Sequence, residues 1–226
     1  MSDTLFDDLK KLLVETQAEP LPTPPGPGDA DTLVHEVVHA YLLWEANGSL
    51  AADGMAKLLQ THVDWNELRV SFSDEASAVL GARYPLATER CERLRATLND
   101  VYEREDALTL DRLRELSKRE ARAYLESLDG IPGFVARRVL LCALGGHCFP
   151  LDERLLGVLQ GGGLLGGEDL ESASVKLERA VRAGASAACF GALERLGEHA
   201  KPPKAQSKRP ESKGRSRATS GSRKKS

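Results

Sequence analysis

The sequence predicts an all-α protein, and three observations carry that expectation. Apolar residues recur at three- and four-residue steps through most of the chain, the spacing that lines one face of a helix. Alternating runs of β-branched and aromatic residues, which strands require, do not occur. The stretch LDGIPGFVARRVLLCALGGHCFPLD, residues 128–152, reads as a helix end, a Gly/Pro hairpin, a second helix and a loop ending in a carboxylate. With 226 residues, 41% of them hydrophobic, the chain can enclose one large core or two small ones.

In chain order, residues 4–14 place Leu5, Leu9, Leu12 and Leu13 on one stripe and predict a short amphipathic helix. EPLPTPPGPGDAD then breaks it, because Pro and Gly at this density exclude both helix and sheet. Residues 1–31 are thus a helix and linker, and a main domain spans residues 32–200. Its first helix carries Val34, Val37, Val38, Tyr41 and Leu42 as a core-facing stripe. Asn47-Gly48 marks the next turn. Two or three helices follow up to Val101, the last led in by Tyr84-Pro85 and striped with Cys91, Leu94, Leu98 and Val101.

Residues 119–128 form the first helix of the hairpin, with Ala121, Tyr124, Leu125 and Leu128 on one face. Asp129-Gly130-Ile131-Pro132-Gly133 stops it, since Gly tolerates positive φ and Pro lacks the N–H. Residues 134–144 restart at once, apolar almost all round except Arg137 and Arg138. The free amides at the start of that second helix point outward as an anion site. A short helix from Leu155 is interrupted by GGGLLGG at 161–167, which lacks the Gly-Lys-Ser/Thr ending of a nucleotide loop and is a flexible connection. Residues 172–198 close the domain with one or two helices.

This hairpin resembles that of the helix-hairpin-helix DNA glycosylases of the endonuclease III superfamily, whose motif is L-P-G-h-G-x-x-x-A, a helix, and V-D. Leu128, Gly130, Ile131 and Ala136 fall on the motif without a gap, and Asp152 falls on the catalytic aspartate. A weaker likeness extends over roughly residues 33–200. The resemblance implies an endonuclease III-like two-lobed helical fold. It further implies that hairpin amides around Gly130, Ile131 and Gly133, with Arg137 and Arg138 beside them, hold a DNA backbone phosphate. A flipped-out nucleotide would then lose its base with the help of Asp152. Asn47 sits where the family fills the gap left by that base, and also suits a plain left-handed turn. Arg83, Arg90, Arg93 and Arg95 stand either near DNA or on a solvated helix face.

The sequence also departs from the family. Phe134 replaces the lysine that attacks the sugar, so a Lys-dependent lyase is excluded at this position. Pro132 replaces the second motif glycine and removes one N–H from the hairpin, for which Gly133 is a substitute. Glu153-Arg154 replaces Thr-His after Asp152. Asp152 therefore has two readings: the carboxylate of a monofunctional glycosylase, activating water or stabilising charge on the deoxyribose, or the cap of a helix starting at Glu153. The corresponding functions are a divergent monofunctional DNA glycosylase and a noncatalytic helix-hairpin-helix DNA-binding protein. His35-Glu36-Val37-Val38-His39 matches H-E-x-x-H and offers a third, lesser reading as a zinc hydrolase, with His62 or Glu67 as the further ligand.

Charge is unevenly spread. Residues 201–226 hold ten Lys/Arg against one acidic residue, leaving 21 basic against 33 acidic in the rest. An acidic body argues against tight nonspecific DNA binding through the core alone. The Pro-, Ser- and Lys/Arg-rich tail is expected to be disordered and to act as a nucleic-acid tether. Four separated cysteines, Cys91, Cys142, Cys148 and Cys189, do not supply the close run of an iron–sulfur cluster, so no cofactor is expected. With no signal peptide or transmembrane run, the expectation is a cytoplasmic, nucleoid-associated monomer that meets DNA and not a membrane.

Overall fold

The computed structural model describes residues 31–198 together with residues 7, 9, 11, 20–23, 26 and 27. The described residues are all-helical: α1 Thr32–Leu43, α2 Gly48–Thr61, α3 Trp65–Val70, α4 Ser73–Leu80, α5 Ala87–Glu105, α6 Lys118–Glu126, α7 Gly133–Cys142, α8 Glu153–Gly161, α9 Leu170–Ala180 and α10 Ser186–Gly197. Short 3-10 turns lie at Asp111–Arg114 and Ala183–Ala185. Of the predicted N-terminal helix only residues 7, 9 and 11 are described; all three are helical, and Leu9 is fully buried. The basic tail lies outside the described residues.

Helix α1 is the hub. Ten of its twelve residues are buried, so the stripe expected from sequence widens to nearly the whole circumference, as in a helix enclosed on all sides. It packs against α2, α5 and α7. Asp31 caps it: one carboxylate oxygen accepts from the Leu33 amide at 2.6 Å, while the other accepts from the Thr109 hydroxyl and the Leu110 amide. Burial raises the Asp31 pKa, but these hydrogen bonds outweigh it and hold the carboxyl below its usual range.

Two groups of helices flank this hub. Helices α2, α3, α4 and α5 pack on one another on one side; α8, α9 and α10 pack together on the other, and α7 touches both α1 and α10. The described residues 20–23 of the Pro-rich segment join this assembly. The Leu21 amide donates to Glu194 of α10, the Leu21 carbonyl accepts from Arg138 of α7, and Thr23 bonds His39 of α1.

The hairpin has the predicted form. A capping box closes the start of α6: Ser117 accepts from the Glu120 amide, and Glu120 accepts from the Ser117 amide. Gly130 sits at φ +73°, and a Cβ there would lie 2.9 Å from the Arg93 carbonyl oxygen, so only glycine fits. From behind, the Tyr41 hydroxyl lies 3.0 Å from the Gly130 carbonyl and 2.7 Å from the Thr97 hydroxyl, which itself lies 2.7 Å from the Asp129 carbonyl. Asp100 accepts from the Asp129 amide at 2.8 Å. The hairpin is thereby fixed to α1 and α5.

Candidate functional site

Asp152 is fully buried. It caps α8, one oxygen accepting from the Leu155 amide at 2.8 Å and the other from the Glu45 amide at 2.9 Å. The Arg154 guanidinium stands 3.9 Å from that second oxygen, a charge contact and not a hydrogen bond. Both carboxylate oxygens are therefore engaged by the protein, and no surface of Asp152 faces solvent.

Glu45 shares this buried cluster, and no local pattern in the sequence marks it. It lies in the turn after α1 at φ 57°, a left-handed conformation that costs a non-glycine residue energy and needs surrounding structure to hold it. Its Oε1 accepts from the Glu153 amide at 2.8 Å, so Glu45 and Asp152 cap each other's segments reciprocally. Its Oε2 is buried and has no partner. Burial first, and the neighbouring Asp152 charge second, push the Glu45 carboxyl up to about 7. Burial likewise raises Asp152, while Arg154, the two amide donors and Arg90 oppose the rise.

Two buried arginines complete the cluster. Arg90 is fully buried, donates to the carbonyls of Pro85 and Trp44, and leaves Nη1 without an acceptor. Arg154 donates to the Gly197 carbonyl at 2.7 Å, which ties α8 to α10. Neither expectation for Arg90, near DNA or on a solvated helix face, holds: its head is spent inside the core.

The same correction applies to Arg138. It is fully buried, pairing with Glu194 at 3.2 Å and Glu36 at 3.5 Å and donating to the Leu21 carbonyl, so it presents nothing to a phosphate. Arg137 lies differently. It borders a recess beside the hairpin together with Ile131 and Gly133, and pairs there with Glu171 of α9. Helix α7 has Pro132 as its N-cap with no side-chain cap bond, and the exposed Gly133, its first residue, borders this recess. Gly130, Ile131, Gly133 and Arg137 are thus brought together, and Arg138 and Asp152 are not part of that surface.

Asn47 is the N-cap of α2, in extended conformation and not in a left-handed turn; it accepts from the Leu50 amide and donates to the Glu198 carbonyl. Phe134 is buried and packs at 6.4 Å from Phe190. Arg93 stacks beside Trp44 and reaches the Gly130 carbonyl at 3.4 Å, while Arg83 and Arg95 are exposed.

The H-E-x-x-H residues are engaged elsewhere. His35 stacks on Trp65, His39 bonds Thr23, and Glu36 faces Arg138. Burial, then the Arg138 and His35 charges, lower His39 to about 3, leaving it neutral. Of the suggested further ligands, His62 bonds the Leu58 carbonyl and Glu67 accepts from the Val63 amide. Among the described residues no three His, Cys, Asp or Glu side chains gather as a metal site. None of the described helices is long and apolar enough to cross a membrane.

No protein-family model matches this sequence, and no curated protein matches it significantly. Its fold is that of the endonuclease III-type DNA glycosylases. An endonuclease III trapped as a covalent intermediate with DNA superposes with a TM-score of 0.61 at 11% identity, covering 84% of this chain and 82% of its own. The H. pylori 3-methyladenine DNA glycosylase bound to 1,N6-ethenoadenine gives 0.60 at 12%, covering 86% and 95%. A thermostable thymine-DNA glycosylase gives 0.59 at 13%, covering 90% and 89%. At these identities the likeness establishes the architecture alone.

Proposed function

We propose that this chain is a noncatalytic DNA-binding protein built on the DNA glycosylase fold, gripping the backbone of DNA with its helix-hairpin-helix. The observation that carries the reading is the sealed state of Asp152: zero exposure, with both oxygens bonded to backbone amides. A carboxylate that assists base release must reach a water molecule or the deoxyribose, and a general base must lie within hydrogen-bond distance of the proton it takes. Here Asp152 has no exposed surface from which to do so, and Phe134 supplies packing where a nucleophile would stand. What supports DNA as the ligand is the uncapped start of α7 beside the glycine hairpin, together with an architecture shared with solved DNA complexes. The basic tail adds sequence-independent attraction for phosphate that the acidic body lacks.

One observation favours a second reading, a monofunctional glycosylase with a gated carboxylate. Glu45 combines a left-handed backbone with an unpartnered buried oxygen, so a shift of its turn would relieve both and expose Asp152. Base release separates the two. Duplexes carrying uracil, thymine glycol, 8-oxoguanine, alkylated purines or mismatches are assayed for abasic-site formation alongside binding, with Asp152→Asn in parallel. The noncatalytic reading expects binding without release in both proteins; release by the parent that disappears in Asp152→Asn establishes the gated enzyme.

A further inference from the structure

Arg137 and Glu171 form an unequal ion pair at the mouth of the hairpin recess. The recess holds about 310 Å³ and is bordered by Arg122, Ile131, Gly133, Arg137 and Glu171. The Arg137 side chain is only 8% exposed and that of Glu171 is 67% exposed. Both Glu171 oxygens lie 2.6 Å from a single nitrogen, Nη2. A carboxylate that met the guanidinium squarely would engage two nitrogens at once. Arg137 Nε is instead buried without any acceptor. Nη1 lies over the first turn of α7, 3.1 Å from where a Cβ at position 133 would be, so glycine at 133 leaves room for the guanidinium. Arg122 is held differently, by Glu126 and Glu178 together.

We propose that this pair is a displaceable latch: a phosphate group takes the place of Glu171 on Arg137 and settles against the first amides of α7. The inference rests on the hairpin being the DNA-facing element and names what controls it. Glu171 returns to water at little cost because most of its surface is already wet, whereas the packed guanidinium needs an anion. A phosphate has oxygens enough to meet Nη1, Nη2 and the helix amides together, and the α7 N-terminus attracts it. Glu171 thereby sets the affinity of the hairpin, and the specific ligand is a phosphodiester of a DNA strand.

The test follows the backbone amides of residues 133–135 and the Arg137 guanidinium by NMR during titration with inorganic phosphate and, separately, with a short DNA duplex. Glu171→Gln is expected to tighten both about fivefold, the strength of a partly exposed ion pair. Glu75→Gln, which removes an equal charge from exposed α4, is expected to leave the hairpin titration unchanged. Arg137→Gln abolishes the Glu171→Gln gain in the double variant. Unchanged phosphate affinity in Glu171→Gln, or an equal gain in Glu75→Gln, overturns the latch. Tighter phosphate binding with no duplex binding at all keeps the latch and overturns the DNA-binding reading instead.

Discussion

Glu45 is the residue on which the acidic pocket turns, and its protonation gives a directional prediction. Its folded-state pKa of about 7 stands above the ordinary value of 4.5, so below pH 4.5 its contribution to stability is fully present. That contribution is lost as pH rises through 7, because the folded protein must then release a proton it holds more tightly than the unfolded chain does. The loss is at most about 3 kcal/mol, from 1.36 kcal/mol per pKa step. Glu45→Gln keeps an acceptor for the Glu153 amide and has no charge to bury. It is expected to raise the midpoint of thermal unfolding at pH 8 and leave it nearly unchanged at pH 4.5; calorimetry at the two pH values checks this. Equal shifts at both would mean that Glu45 is already ionised and accommodated in the fold. Glu45 itself was not legible in the sequence, since a glutamate between Trp44 and Ala46 has the composition of a solvent turn. Arg138 was misplaced for a related reason: its partners Glu36 and Glu194 lie 102 and 56 positions away, and only tertiary packing unites them. An apolar helix with no polar face was nonetheless a sign that its arginines go inside.

Among the elements, the hairpin was the most legible, because glycine and proline punctuate the chain through local sterics alone. The start of α6 at Lys118 lies one residue ahead of the expected boundary, behind the capping box of Ser117 and Glu120. Asp152 has two readings in the sequence, catalytic carboxylate and helix cap; the structure shows the cap, and its bond to the distant Glu45 amide has no local signal. The hairpin's geometry is strict at Gly130. Gly130→Ala forces a Cβ to 2.9 Å from the Arg93 carbonyl and holds alanine at positive φ, so the variant is expected to lose about 1–3 kcal/mol of stability. Distortion of the turn also misdirects the α7 amides. Denaturant unfolding and a duplex-binding titration together test this: a stability loss with DNA affinity unchanged would detach the hairpin from binding.

At the scale of the molecule, an acidic body carries a hairpin on its surface and a basic extension at its end. Backbone phosphate contacts release counterions, so the steepness of affinity against salt counts the cations engaged. Deletion of residues 201–226 is expected to weaken duplex binding and flatten that salt dependence. An unchanged slope would place the tail's charge away from DNA. The whole-molecule architecture was legible through the Gly130 to Asp152 motif, and the overall helical content through periodicity. The central position of α1 was not, because a helix enclosed on all sides shows a stripe in sequence only where its polar residues happen to be paired.

On the proposed reading, the glycosylase architecture is retained to hold DNA while Asp152 serves as a sealed cap. Measuring abasic-site formation on the lesion-bearing duplexes, under conditions where binding is saturated, addresses this directly. A bound duplex with its bases intact is expected for the parent and for Asp152→Asn alike. Base release by the parent, lost in Asp152→Asn, would contradict it.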